Sequence, residues 1–168
     1  MKWHNACKTF SINFTGRRLT GRAKFSHCRG LMQKSCLFCH IAVISITAPE
    51  RPPAAIGDFA HVLRLSFADV DFLNPDLSER ARGKLAHAFT EEQAEAIRSF
   101  VEALPDEICS LVIHCEGGYS RSCAIALALH QLYGYQVELA HLTEANRSIV
   151  RVLMGDFRSH RKSKKITR

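Results

Sequence analysis

Between Leu111 and His130 an apolar run, Leu111-Val-Ile113, gives way to His114-Cys115-Glu116-Gly117-Gly118-Tyr119-Ser120-Arg121-Ser122, and then to Ala124-Ile-Ala-Leu-Ala-Leu129-His130. That order reads strand, tight loop, helix. It sets a thiol in a loop rich in free N–H groups at the positive end of a helix. Such a loop can hold an anion, and its thiol can attack one.

Each residue type in the loop has a chemical reason to be there. A thiol is a nucleophile only as thiolate, and an ordinary cysteine, with a pKa of about 8.5, is mostly protonated at neutral pH. Inward amides of Glu116 to Arg121, the helix dipole and the Arg121 guanidinium should all favour the charged form of Cys115. Gly117 and Gly118 allow positive φ and close approach of the backbone to a ligand. Arg121 can return over the loop and grip two phosphoryl oxygens with its planar fork, which lysine could not reproduce. Ser122 can donate to the sulfur and help a thiolate leave. His114 is expected to order the loop through backbone hydrogen bonds, because a thiolate needs no base. A buried core cysteine beside a glycine turn is the plain alternative. It leaves unexplained the flanking strand, the paired glycines and the following helix.

His114-Cys115-Glu-Gly-Gly-Tyr-Ser-Arg121-Ser122 resembles the signature loop of the cysteine-dependent protein tyrosine phosphatase superfamily, and its Gly-Tyr-Ser-Arg-Ser ending most resembles the dual-specificity branch. The likeness spans roughly residues 41 to 157 and is strongest over the loop and its flanking strand and helix. It implies an α/β fold with a twisted, central, mostly parallel sheet flanked by helices on both faces. It also implies phosphomonoester hydrolysis in two steps through a phosphocysteine on Cys115, with no metal and no cofactor. The amides of Glu116, Gly117, Gly118, Tyr119, Ser120 and Arg121 would then bind the phosphate.

Such chemistry needs an acid to protonate the leaving oxygen and later to activate water. In the superfamily this is an aspartate on a loop after an upstream strand. Here Phe59-Ala-His61-Val-Leu-Arg-Leu65-Ser-Phe67 alternates like a strand and runs into Ala68-Asp69-Val70-Asp71. Asp69, nearest the strand end, is the first candidate. Asp71 points to the same side if the chain stays extended, and Asp76 is a third choice. Compared with the dual-specificity pattern, extra length falls between Phe72 and Ala88.

The remaining elements fit that placement. Ile41 to Ile46 reads as a buried strand closed by the turn-rich Thr47-Ala-Pro-Glu-Arg-Pro-Pro. Thr90-Glu-Glu-Gln93 is a capping box with Phe89 before it, and Ala94, Ile97, Val101 and Leu104 line one face of the helix it opens. Ile108 to Ile113 is the strand before the thiol, and Gly134 is a natural helix C-cap. Val137 to Leu153 shows apolar residues at helical spacing and is expected as one last helix, on which Asn146 and Arg147 have no role beyond helix surface or loop support.

Charge divides the chain. Residues 1–40 carry eight Lys or Arg and no acid, and residues 151–168 carry seven basic residues and one acid. The overall +7 therefore belongs to the ends, and residues 41–150 are net acidic. Specific nucleic-acid binding by the domain is not expected. The expected organisation is a basic tail over 1–40, a disordered one included, a catalytic domain over 41–157 and a basic tail over 158–168. A transit segment is the other reading of the first forty residues. Cys28 with Cys36, Cys39 and His40 is too incomplete a pattern for an expected zinc site. Seven cysteines without a paired pattern fit a reducing, cytoplasmic setting, and no run reaches the ~18 apolar residues of a membrane span. Cys123 is read as a small buried residue, with an oxidative bond to Cys115 as the other role.

The loop carries Glu116 and no cation besides Arg121, which favours a single phosphoryl group on a phosphoprotein or phosphopeptide over a highly anionic substrate. A monomer is consistent with one core of this size. Two other classes stay open: a phosphopeptide-binding module without catalysis, and a rhodanese-type sulfurtransferase, which also holds a cysteine in an anion loop.

Overall fold

The computed structural model describes residues 9–13, 41–108 and 110–155. Four strands, β1 (Thr9–Asn13), β2 (Ile41–Thr47), β3 (His61–Ser66) and β4 (Ser110–His114), form one sheet in the order β1-β4-β2-β3. β2 pairs parallel with both β3 and β4, and β1 adds antiparallel to the outer edge of β4, Thr9 facing His114 and Asn13 facing Ser110. The molecule is thus a small α/β fold with three parallel strands. β1 lies inside the segment expected to be a basic tail, so the sheet extends beyond the 41–157 boundary. Cys28, Cys36, Cys39 and His40, weighed and set aside as a zinc site, lie outside the described residues, as do Cys109 and the tail 158–168.

The helices are α1 (Glu79–Arg82), α2 (Glu91–Glu102), α3 (Arg121–Tyr133) and α4 (Arg147–Met154). Alternation along the strands turns Ala42, Ile44, Ile46, Leu111 and Ile113 to one face, and there they merge with Ala94, Ile97 and Val101 of α2, the inner side of α3, and Ile149, Val152 and Leu153 of α4 in one core. Among the described residues, the helical cover expected on both faces is established for this face. On the other face Val43 and Ser45 are also nearly fully buried, so β2 is enclosed on both sides, as suits a central parallel strand.

Local chemistry sets the helix ends. At α2 the capping box forms in both directions: Gln93 N donates to Thr90 Oγ1 (3.3 Å) and Thr90 N donates to Gln93 Oε1 (3.1 Å). The same Gln93 amide donates to the Ser66 carbonyl at the end of β3 (2.9 Å), and buried Phe89 meets Phe67 with ring centroids 4.8 Å apart. These contacts fix where the chain leaves β3. α3 ends at Gly134, left-handed at φ 73°, whose N–H donates to the His130 carbonyl (2.9 Å).

The single helix expected over Val137 to Leu153 is corrected to two pieces, a 3₁₀ turn at Leu139–His141 and α4 from Arg147. The break has a physical cause. The Asn146 carboxamide oxygen accepts from the amides of Ser148 (3.0 Å) and Ile149 (3.3 Å), which makes Asn146 the N-cap of a new helix rather than a residue within an old one. No helix among the described residues is long and apolar enough to cross a membrane.

Candidate active site

All three parallel strands end on the same edge of the sheet, and the loops leaving them meet there. Ala48, Glu50 and Arg51 follow β2, Ala68 and Asp69 follow β3, and Glu116 and Arg121 follow β4. Together with Lys84 they line an open cleft of about 360 Å³. Open α/β sheets bind ligands in this place, outside the carboxyl ends of their strands.

Cys115 stands one residue beyond β4 and is buried. The Gly118 N–H donates to its sulfur (3.2 Å), and Ser122 Oγ lies 3.2 Å from the same atom. The expected sulfur contact of Ser122 is therefore present, and the loop turns at least one amide inward on the thiol. The two glycines act differently from the shared role expected of them. Gly118 has φ 69°, a left-handed backbone that glycine adopts without cost. At Gly117 the matter is room rather than backbone: a Cβ there would lie 3.0 Å from Cζ of the Tyr119 ring, which would have to give way. That ring is 56 % exposed and folds over the outside of the loop.

Arg121 opens α3 and is buried, its side chain only 7 % exposed. Its Nη1 donates to the Phe67 carbonyl (3.0 Å), tying the thiol loop to the segment that carries Asp69. Its Nη2 donates to Glu116 Oε2 (2.8 Å), and its buried Nε makes no hydrogen bond. Glu116 Oε1 is in turn 3.8 Å from Arg51 Nε. Glu116 thus contributes a carboxylate to the cleft as well as a backbone amide to the loop.

Of the three aspartates weighed as acid, the structure brings only Asp69 to the cleft. Its Oδ1 accepts from Ser120 Oγ (2.8 Å) and from Asn146 Nδ2 (2.9 Å). Ser120 therefore spends its hydroxyl on Asp69 instead of capping α3, where it forms no side-chain cap. Asp71 does not line the cleft. Its carboxylate accepts from Ser148 Oγ and from the Leu73 amide (3.2 Å), so it closes the turn after β3 onto the start of α4. Asp76, in the turn whose amide donates to Asn74 Oδ1, does not line the cleft.

His114 is buried at the end of β4, and burial, helped by the Arg64 charge, lowers its pKa from the usual histidine value. Cys123 is fully buried, with Sγ 3.5 Å from the His141 carbonyl and 3.9 Å from the Gly118 carbonyl. Burial pushes its thiol up to about 11. A thiol so held is mostly protonated at neutral pH.

Three participants lie outside the set read from the sequence. Asn146 links the N-terminus of α4 to Asp69 through one side chain, and its position ahead of an apolar helical stripe was the available signal. Arg51 and Lys84 bring cations to the cleft that the loop itself lacks. The segment between Phe72 and Ala88 carries Lys84 back to the site, and the Ala68 amide donates to the His87 carbonyl (2.7 Å), binding that excursion beside Asp69. Among the described residues no group of three or more His, Cys, Asp or Glu is placed to hold a metal ion.

No family model, curated protein or solved structure matches the chain.

Proposed function

We propose that the protein is a cysteine-dependent phosphatase of the dual-specificity-like type, with a protein tyrosine phosphatase-like fold, that hydrolyses phosphomonoesters of phosphoproteins or phosphopeptides. One observation carries the reading. A buried thiol at the end of an interior parallel strand accepts an amide hydrogen and lies 3.2 Å from a serine hydroxyl, and Arg121 of the same loop lines a cleft together with Asp69 of a separate element.

The roles follow from the geometry. Arg121 binds the phosphoryl oxygens and Cys115 attacks phosphorus as thiolate, forming the S–P bond as the P–O bond breaks. The proton on Asp69 goes to the departing oxygen. Both hydrogen bonds to Asp69 fall on Oδ1, so Oδ2 is left to carry that proton. In the second step Asp69 takes a proton from water, which attacks phosphorus, and the thiolate leaves with the Ser122 hydroxyl donating to it. His114 holds the loop and transfers no proton.

The test is hydrolysis of p-nitrophenyl phosphate from mildly acid to neutral pH in the presence of EDTA. Turnover should persist with the chelator and fall by at least about 10³-fold in Cys115→Ser, because an alcohol lacks the nucleophilicity of the thiolate. A folded, reduced protein that is silent on this ester but binds phosphopeptide would overturn the enzyme in favour of a binding module. Cyanide-dependent consumption of thiosulfate would point instead to sulfur transfer.

A further inference from the structure

A guanidinium grips a phosphoryl group through the edge that carries Nε and one Nη, two parallel donors for two oxygens. In this molecule Arg121 Nη1 is committed to the Phe67 carbonyl, which leaves Nε and Nη2 as that edge. Nε is buried without a hydrogen-bond partner, and Nη2 is held by Glu116 at 2.8 Å. Half of the phosphoryl grip is therefore taken by a carboxylate from the same loop. The second oxygen of that carboxylate lies 3.8 Å from Arg51 Nε, on a side chain 70 % exposed and so free to follow it.

We infer that Glu116 is a specificity-determining rival for the phosphoryl site, which an incoming phosphoryl group must displace from Arg121 and hand over to Arg51. Three features support the exchange. Glu116 is 37 % exposed, so its carboxylate can swing outward without unpacking a core, whereas Arg121 is fixed by its backbone contact. Loss of the Arg121 contact is offset by closer pairing with Arg51. A carboxylate left in place would also face the entering dianion at close range, so occupation by phosphate and by Glu116 excludes itself. The consequence is an anion site weaker than its amides and arginine alone would make it, selective for groups that can fill both Nε and Nη2.

This inference rests on the phosphatase reading for its substrate, and its test separates the two. Inorganic phosphate is the probe, titrated calorimetrically into wild type, Glu116→Gln, Arg51→Ala and the double variant, with thermal melting to show that each is folded. Glu116→Gln keeps the side-chain shape and removes the charge. It should bind phosphate about three- to tenfold more tightly, the lower figure reflecting a partly exposed pair. Arg51→Ala should weaken phosphate binding about two- to threefold in the wild-type background and leave it unchanged in Glu116→Gln, because Arg51 acts only on the displaced carboxylate. Equal or weaker binding by Glu116→Gln overturns the inference and makes Glu116 a support for Arg121. The same loss from Arg51→Ala in both backgrounds also overturns it, by showing that Arg51 touches phosphate itself. Should wild type fail to hydrolyse p-nitrophenyl phosphate while this binding pattern holds, the enzyme reading fails and the rivalry at the anion site stands.

Discussion

The loop from Cys115 to Ser122 and the stretch from Phe67 to Asp76 supply the two halves of one site by opposite means. In the loop, thiol, amide donor, arginine and serine follow one another along eight residues, and short-range geometry does the positioning: Gly118 N and Ser122 Oγ reach the sulfur from three and seven residues away. In the aspartate stretch, local turns form, but the Asp69 carboxylate is held by distant partners. Asp69 is held by Ser120, 51 residues on, and by Asn146, 77 residues on. A contiguous motif can be correct before the domain is complete, whereas the Asp69 carboxylate gains its partners only when β3, α3 and α4 have all docked.

That contrast predicts where substitutions act. Within the loop, Arg121→Lys should lower kcat/KM by about 10²- to 10³-fold in steady-state assays with p-nitrophenyl phosphate. A lysine supplies one point of charge where two donors are needed, and it also drops the Phe67 tie. A loss of less than tenfold would mean that the loop amides alone carry the phosphate.

Across the aspartate stretch, the two neighbours should part. Asp69→Asn should cost about 10²-fold in kcat, with the basic limb of the pH–rate profile lost, since an amide cannot give up the proton that the leaving oxygen needs. Asp71→Asn should leave that limb in place and show instead as a lower melting temperature, because its carboxylate joins the turn after β3 to the Ser148 hydroxyl. Equal pH profiles for the two variants would refute the assignment of roles.

What could be read from the sequence divides along the same line. Features made by neighbours were legible: the thiol loop, the Thr90–Gln93 capping box, the helix stop at Gly134 and the buried strand from Ile41. Features made by distant partners were not. Thr9–Asn13 is short and sits in an acid-free, basic stretch, and its pairing with β4 spans about a hundred residues of chain, which no local pattern records. The stripe Leu139, Leu142, Ala145, Ile149, Val152 does follow a helical period, but an asparagine with two amides to satisfy interrupts it at Asn146. The extended chain expected from Asp69 to Asp71 is replaced by a turn, in which the Val70 amide donates to the Ala68 carbonyl (3.1 Å), and Ser148 takes up the Asp71 carboxylate. Arg51 and Lys84 gain meaning only when the strand ends converge.

Asn146 tests the long-range half of the comparison more gently. In Asn146→Ala, Asp69 keeps Ser120 but loses its anchor to α4, and α4 loses its cap. The expected outcome is a fall in kcat of about tenfold with KM little changed, together with about 1 kcal/mol of stability lost from the cap. Asn146→Asp should restore the cap, since a carboxylate accepts from both amides, but set a like charge against Asp69. Recovery of stability without recovery of kcat would separate the two duties of this residue.

The smallest effects return to the loop and divide its glycines. Gly118 holds φ 69° while its N–H meets the sulfur, so Gly118→Ala sets a Cβ into left-handed backbone at a cost of about 1–2 kcal/mol, or lets the loop relax and withdraw the amide from Cys115. Either route should reduce kcat/KM by about tenfold. Gly117→Ala meets only the far end of an exposed tyrosine, whose ring can swing aside. Its expected change is less than about threefold, for the ring moves through water and no backbone has to follow. If Gly117→Ala proved the more damaging of the two, the Tyr119 ring would have to be part of the walls that hold substrate, and an aromatic contact would join the amides in shaping the site.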